Sequence, residues 1–147
     1  LDELGLSAAM DSLSKEFSQR TGVFVNVTKP AVRKLLPDHI NTTLYRVVQE
    51  SLNNIEKHAN ASYVAIHLSI QNNWLTLLVK DDGSGFDTSP EADTSGFGIG
   101  LRNLAERVEY HSGKFDISSS KKGTTIRAEI PTASFVNYFN QSNIEAA

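Results

Sequence analysis

The chain has 147 residues, enough for one domain with a substantial core. Its formal net charge is −3 and it has no long basic run, so a nucleic-acid-binding surface is not expected. It has no cysteine, which excludes disulfides and thiolate metal sites and is typical of a reducing compartment, so we expect a cytoplasmic location.

The first half of the chain predicts a helix, a short strand and a longer helix. Leu6–Arg20 has apolar residues at helical spacing and ends before Gly22, the usual kind of residue just past a helix. Val23–Val27 predicts a strand. The second helix begins near Pro37 and ends near Ala59. Its apolar face has members three and four residues apart: Ile40, Leu44, Val47, Val48, Leu52, Ile55 and Ala59.

The second half predicts two hairpins separated by a helix. The strands are Tyr63–Ile70, Trp74–Lys80, Phe115–Ser119 and Thr124–Ile130, and the helix is Leu101–His111. The resulting order is helix, strand, helix, two strands, loop, helix, two strands. It predicts an α+β fold, a two-layer sandwich in which a mixed sheet has its helices on one face. The repeated βαβ units of a plain Rossmann fold are missing.

Two glycine clusters lie between the strand that ends at Lys80 and the next helix. The first is Asp81-Asp82-Gly83-Ser84-Gly85, and the second is Gly96-Phe97-Gly98-Ile99-Gly100-Leu101. Glycines let backbone N–H groups approach phosphates, and a helix N-terminus favours anions, so the clusters suggest a nucleotide site. One of the two aspartates is then available to accept a hydrogen bond from adenine. The polar stretch Asp87–Ser95 predicts a mobile lid. The alternative is a pair of ordinary glycine turns.

Glu50, Asn54 and Lys57 follow one stripe of the second helix, beside its apolar face. At about 100° per residue they lie within roughly 60° of one another. A carboxylate, an amide oxygen and an ammonium suit a hydrated Mg²⁺ with its phosphates, because Mg²⁺ takes oxygen ligands and keeps several waters. The alternative is a solvated helix face with spaced charges.

Together these segments resemble the ATP-binding domain shared by histidine kinases, gyrase B, Hsp90 and MutL, often called the GHKL or Bergerat fold. The family's successive boxes are similar to Glu50–Ala59, Asp81–Gly85, Gly98–Leu101 and Gly123-Thr124. Within it, Leu44–Leu52, Gly100–Val108 and the opening Leu1–Leu6 resemble sensor histidine kinases of the nitrate/nitrite-sensor type. Asn103 departs from that subfamily, which often has glycine there.

The resemblance implies specific roles for residues of this chain. Asp81 would accept the adenine amine, with Thr124 supporting it through a water, and Gly83 and Gly85 would let the loop pass close to the base. Asn54 would ligate Mg²⁺. Glu50 would bind the metal through water or act as an orienting catalytic base, and Lys57 would contact phosphate. Gly98, Gly100 and the N–H groups starting at Leu101 would hold the triphosphate.

The same resemblance implies partners outside this sequence. Such kinases phosphorylate a histidine on a dimerisation domain, and none of the four histidines here has the setting of a phosphoacceptor: His39, His58, His67 and His111. We therefore expect a piece of a longer protein: residues 1–6 end the dimerisation helix, 7–131 bind ATP, and 132–147 form a tail. We expect the piece to be monomeric and its parent to be homodimeric, with or without a membrane anchor. We expect a response regulator to receive the phosphate.

Two other functions fit the same boxes. An anti-sigma-factor-type serine kinase shares them, although the Leu1–Leu6 opening disfavours it because that family has no preceding dimerisation helix. A nucleotide-binding switch without transferase activity would use the same binding residues.

Overall fold

The computed structural model describes residues 5–30, 36–85 and 98–135. The predicted lid and most of the predicted tail lie outside these ranges. The helices are α1 (Gly5–Thr21), α2 (Asp38–Asn54) and α3 (Gly98–Tyr110), and the strands are β1 (Phe24–Thr28), β2 (Tyr63–Gln71), β3 (Trp74–Asp81), β4 (Lys114–Ser120) and β5 (Gly123–Pro131). A π-helical turn, Ile55–Ala59, follows α2, and a 3₁₀ turn, Thr132–Ser134, follows β5.

The five strands form one mixed sheet in the order β1-β2-β3-β5-β4. β1 pairs with β2 in parallel, and every other pairing is antiparallel. The β2–β3 hairpin turns at Asn72 and Asn73, whose φ angles of 53° and 66° are those of a type I′ turn. Since β5 lies between β3 and β4, the tip of the β4–β5 hairpin reaches the end of β3. That neighbourhood contains Asp81 and Thr124.

One face of the sheet packs against the helices and forms the core. On β2 the alternation buries Val64, Ile66 and Leu68, while the intervening side chains are more exposed. The helical faces predicted from the sequence supply the other half of the core: Leu6, Met10 and Phe17 of α1, Ile40, Leu44, Val47, Val48 and Leu52 of α2, and Leu101, Leu104 and Val108 of α3. The predicted two-layer α+β sandwich with a mixed sheet is confirmed.

The prediction of one α-helix from Pro37 to Ala59 was wrong at its end. The α-helix stops at Asn54, and the next five residues form the π-helical turn. Asn60, in the left-handed conformation with φ 51°, terminates it. A π-helix bonds residues five apart, so the α-helical spacing that placed Lys57 on the stripe of Glu50 and Asn54 does not hold beyond Asn54. The apolar pattern continues to Ile55, so it does not reveal this change of helix type.

Within the described ranges, no helix combines the length and apolar character required to cross a membrane.

Candidate functional site

Asp81, the last residue of β3, has a buried carboxylate. Its side chain is only 4% exposed, and its Oδ1 accepts a hydrogen bond from the Gly83 N–H at 2.8 Å. Burial raises the pKa of Asp81 above its ordinary value, while the backbone N–H groups of Gly83 and Thr124 act in the opposite direction. A desolvated carboxylate of this kind is more often found at a functional site than on an ordinary surface.

Asp82 is placed differently, although it is the next residue. It is exposed, and its Oδ1 accepts the backbone N–H groups of Ser62 and Tyr63, each at 2.9 Å. These two bonds lower the pKa of Asp82. Asp82 therefore ties the start of β2 to the end of β3, and Asp81 is the carboxylate left to meet a ligand. The residue pattern left the choice between the two open, and the family resemblance selected Asp81.

The β4–β5 hairpin lies directly against the chain that follows β3. A Cβ on Gly123, where φ is +133°, would lie 2.0 Å from the backbone oxygen of Asp81. A Cβ on Gly85, where φ is +73°, would lie 1.9 Å from the backbone oxygen of Ser120. Only glycine permits both approaches. Thr124 is buried beside them, and its hydroxyl lies 2.7 Å from that of Ser119.

Gly123 was not among the predicted site residues, although it was quoted as half of the Gly-Thr box. Its contribution is steric, because it lets the hairpin close onto the backbone of Asp81. In the sequence, the signal for this role is a glycine at the start of the last strand, since glycine is the residue that adopts positive φ at low cost.

Asn54 is the last residue of α2 and is 5% exposed. Its Nδ2 has no hydrogen-bond partner among the described residues. Leaving a buried amide unpaired is costly, so an oxygen ligand that reaches it is favoured. An amide presents both a donor and an acceptor, which fits a phosphate oxygen on one side and a hard cation on the other.

Glu50 lies one turn before Asn54 and faces the start of α3. A Cβ on Gly100 would lie 2.4 Å from the Glu50 Oε1, so the glycine makes room for that carboxylate. Leu101, the next residue, is buried and anchors the first turn of α3, which begins at Gly98. The free N–H groups of this first turn favour a bound anion.

These residues fit a magnesium ion only as a partner of a bound nucleotide. The described residues contain no cluster of three or more His, Cys, Asp or Glu able to hold a metal alone. Mg²⁺ commonly uses one or two protein oxygens and completes its shell with water and phosphate. Asn54 and Glu50 meet that requirement. Lys57 is exposed and lies in the π-helical turn, whereas Glu50 and Asn54 lie in α2.

Two groups of predicted site residues are linked through the start of β2 and the end of β3. The short segment from Asn54 to Ser62 leads from α2 into β2, and Asp82 bonds its end to the strand that carries Asp81. The first group of predicted site residues is Asp81 with Gly83, Gly85 and Thr124, and the second is Asn54 and Glu50 with Gly100. The second cluster's Gly96 and Phe97 lie outside the described residues.

Residues 39–134 match the family described as histidine kinase-, DNA gyrase B- and HSP90-like ATPases. Three curated relatives are histidine kinases. MctS of Rhizobium johnstonii, a sensor histidine kinase, is 40% identical over 131 residues. DegS of Brevibacillus brevis, a histidine-protein kinase/phosphatase, and NreB of Staphylococcus carnosus, an oxygen sensor histidine kinase, are each 36% identical over 132 residues. Each match covers 89% of this chain but only 28%, 33% and 38% of the respective relative.

Solved structures show the same fold at lower identity. The histidine kinase domain of the blue-light-activated kinase of Erythrobacter litoralis has a TM-score of 0.74 at 21% identity, covering 92% of this chain and 65% of that one. The histidine kinase AdeS of Acinetobacter baumannii has a TM-score of 0.70 at 13% identity, covering 88% and 66%. The predicted GHKL fold and the resemblance to sensor histidine kinases of the nitrate/nitrite-sensor type are confirmed by these matches.

Proposed function

The chain belongs to the family of histidine kinase-, DNA gyrase B- and HSP90-like ATPases, and we propose on that premise that it is the catalytic, ATP-binding part of a sensor histidine kinase. It binds ATP with Mg²⁺ and donates the γ-phosphate to a histidine on a dimerisation domain. The curated relatives support this, because all three are named as histidine kinases, two of them as sensors, and are about three times as long as the matched region.

The observation that carries the proposal is the buried carboxylate of Asp81 above a glycine-lined turn. A carboxylate accepts hydrogen bonds but donates none, so it selects a donor such as the exocyclic amine of adenine. Thr124, buried beside it, is suited to hold a water between the hydroxyl and the base. Gly83 adds no side chain to the loop, and Gly85 lets the loop lie against the Ser120 backbone, so the loop can pass close to the base.

The phosphates are proposed to lie between α2 and the start of α3. Asn54 offers its amide to the metal and the phosphates, and Glu50 takes part through water or by orienting the reacting group. Gly98, Gly100 and the N–H groups beginning at Leu101 hold the triphosphate, and Lys57 adds a positive charge from the π-helical turn. The magnesium ion, when bound, neutralises phosphate charge and orients the chain of phosphates.

The partners follow from the same proposal. The phosphoacceptor is a domain of the parent kinase; residues 1–6 are assigned to the end of its dimerisation helix, 7–131 to the ATP-binding domain and 132–147 to a tail. The parent is a homodimer that passes phosphate to a response regulator. The isolated chain is monomeric and cytoplasmic.

Labelled ATP tests the class of reaction. A longer chain that includes the upstream sequence is incubated with ATP labelled at the γ-phosphate, and the product is treated with acid and base. Label that is lost in acid and kept in base is phosphohistidine, which the proposal predicts. Acid-stable label would indicate a serine kinase, and nucleotide binding without any label would indicate a switch.

A further inference from the structure

The π-helical turn, Ile55–Ala59, connects α2 to β2 and adjoins the proposed phosphate side of the site. Asn54 immediately precedes the turn, and Lys57 lies within it. π-Helical turns are rare, and they are found frequently at functional sites. The contacts that fix this turn therefore bear on where Asn54 and Lys57 are held.

Glu56, the second residue of the turn, is held by Arg20 near the end of α1. The Arg20 Nη1 donates a hydrogen bond to the Glu56 Oε1, and the two side chains form an ion pair although they are 36 residues apart in sequence. Of the three ion pairs found among the described residues, this is the one that reaches the turn. A contact from α1 thus bears directly on the segment between Asn54 and Lys57.

Arg20 is itself held in place by its surroundings in α1. Its guanidinium carbon lies 5.8 Å from the centroid of the Phe17 ring, within the range of a cation–π interaction, and Phe17 is a core residue that is 2% exposed. Glu16, four residues earlier, also attracts the Arg20 charge. The last turn of a helix favours a cation. The guanidinium is therefore preorganised to hold the Glu56 carboxylate.

We propose that Arg20 is a positioning residue for the phosphate side of the ATP site. Through Glu56 it fixes the π-helical turn, and with the turn it fixes Asn54 and Lys57. The inference rests on the proposed function, which assigns those two residues to the metal and the phosphates. Arg20 precedes residues 39–134, the part of the chain that matches the ATPase family, so the family match assigns it no role.

Mg-ATP calorimetry on two single variants separates positioning from an effect of charge alone. Glu56→Gln removes a negative charge beside the proposed phosphates, so charge alone would strengthen binding. If Glu56 fixes the turn, this variant should instead bind Mg-ATP about threefold to fivefold more weakly, the range that an exposed ion pair supports. Arg20→Gln should weaken binding to the same extent. The double variant should bind no more weakly than either single variant, because the two side chains act through one contact.

Glu16→Gln is the matched control. It removes the other acidic neighbour of Arg20 and leaves the pair with Glu56 in place, so it should bind Mg-ATP like wild type. Tighter binding by Glu56→Gln, or equal weakening in Glu16→Gln, would overturn Arg20 as a positioning residue.

Hydrogen exchange of the nucleotide-free chain separates this inference from the proposed function. Backbone amides of the π-helical turn should exchange faster in Arg20→Gln and in Glu56→Gln than in wild type, while those of α3 should be unchanged. Faster exchange in a protein whose wild-type form does not bind ATP would keep the contact that fixes the turn and overturn the proposed function. Unchanged exchange in both variants would overturn the positioning role.

Discussion

Asp81 and Asp82 are neighbours whose surroundings shift their pKa values in opposite directions. Burial raises the pKa of Asp81, so the folded state holds that proton more tightly than the unfolded chain does. Tighter proton binding stabilises the folded state fully at pH values below 3.8, the ordinary pKa of an aspartate. This stabilisation is lost as pH rises through the raised pKa of Asp81. At neutral pH the buried charge is therefore a cost to folding.

The first prediction concerns the thermal stability of a variant that lacks this buried charge. Asp81→Asn removes the buried charge and keeps the shape, so its melting temperature at pH 7 should be above that of wild type. The difference should shrink as pH falls through the raised pKa of Asp81, where the wild-type carboxyl becomes neutral. Thermal unfolding between pH 4 and pH 8 measures it. A variant less stable than wild type across this range would show that Asp81 is a structural carboxylate.

Asp82 supplies the matched comparison. Its pKa is lowered by the Ser62 and Tyr63 N–H groups, so its stabilising effect is present above the ordinary value and lost as pH falls through the lowered pKa. Asp82→Ala should therefore lower the melting temperature at pH 7, opposite in sign to Asp81→Asn. Equal shifts in the two variants would contradict the division of roles between them.

A second prediction concerns the metal. Asn54→Ala removes a buried amide whose Nδ2 is unpaired within the described residues. The free protein should lose little stability, but the gain in ATP affinity on adding Mg²⁺ should fall about tenfold, close to the value of one lost hydrogen bond to a charged group. Binding of ADP without metal is the control and should change less. An unchanged response to Mg²⁺ would place the metal elsewhere.

At the scale of elements, the contact between the β4–β5 hairpin and the end of β3 depends on glycine. Gly22 and Gly123 both have positive φ, but a Cβ on Gly22 would meet open space, whereas one on Gly123 would lie 2.0 Å from the Asp81 oxygen. Gly22→Ala should therefore lower the unfolding free energy by about 1 kcal/mol, and Gly123→Ala by roughly 3 kcal/mol, since backbone must also shift.

Denaturant unfolding measures both variants of this third prediction. Gly123→Ala should in addition weaken ATP binding, because the displaced backbone belongs to Asp81, whereas Gly22→Ala should not. Equal stability losses in the two variants would mean that the hairpin does not need its close approach to β3.

The elements themselves were largely predictable from sequence. The buried residues of α2 follow the predicted apolar face from Ile40 to Leu52, and alternation on β2 buries Val64, Ile66 and Leu68, because both patterns are local consequences of chain geometry. The π-helical turn was missed because its apolar spacing over five residues resembles that of an α-helix. The placement of β5 between β3 and β4 depends on long-range pairing that local patterns do not encode.

The site was predictable to a smaller extent. Four boxes located its residues along the chain and selected Asp81 over Asp82, but they did not show that Gly123 packs on Asp81 or that Gly100 makes room for Glu50. Each of these is a contact between residues distant in sequence.

At the scale of the whole molecule, the account predicts a protein that binds ATP without modifying itself. The acceptor histidine is assigned to another domain, so purified chain incubated with labelled ATP should remain unlabelled, and adding the dimerisation domain should restore transfer. Mass spectrometry of the treated chain checks this. Strong acid-labile labelling of the isolated chain, at His39 or any other histidine, would contradict the division into donor and acceptor domains.

Calorimetry with Mg-ATP measures whether this chain binds ATP through the buried carboxylate of Asp81. The wild-type chain should bind one ATP, and Asp81→Asn should bind at least about tenfold more weakly while remaining folded, since the adenine amine would face an amide donor. Near-wild-type affinity in Asp81→Asn, or no ATP binding by the wild-type chain, would contradict the account.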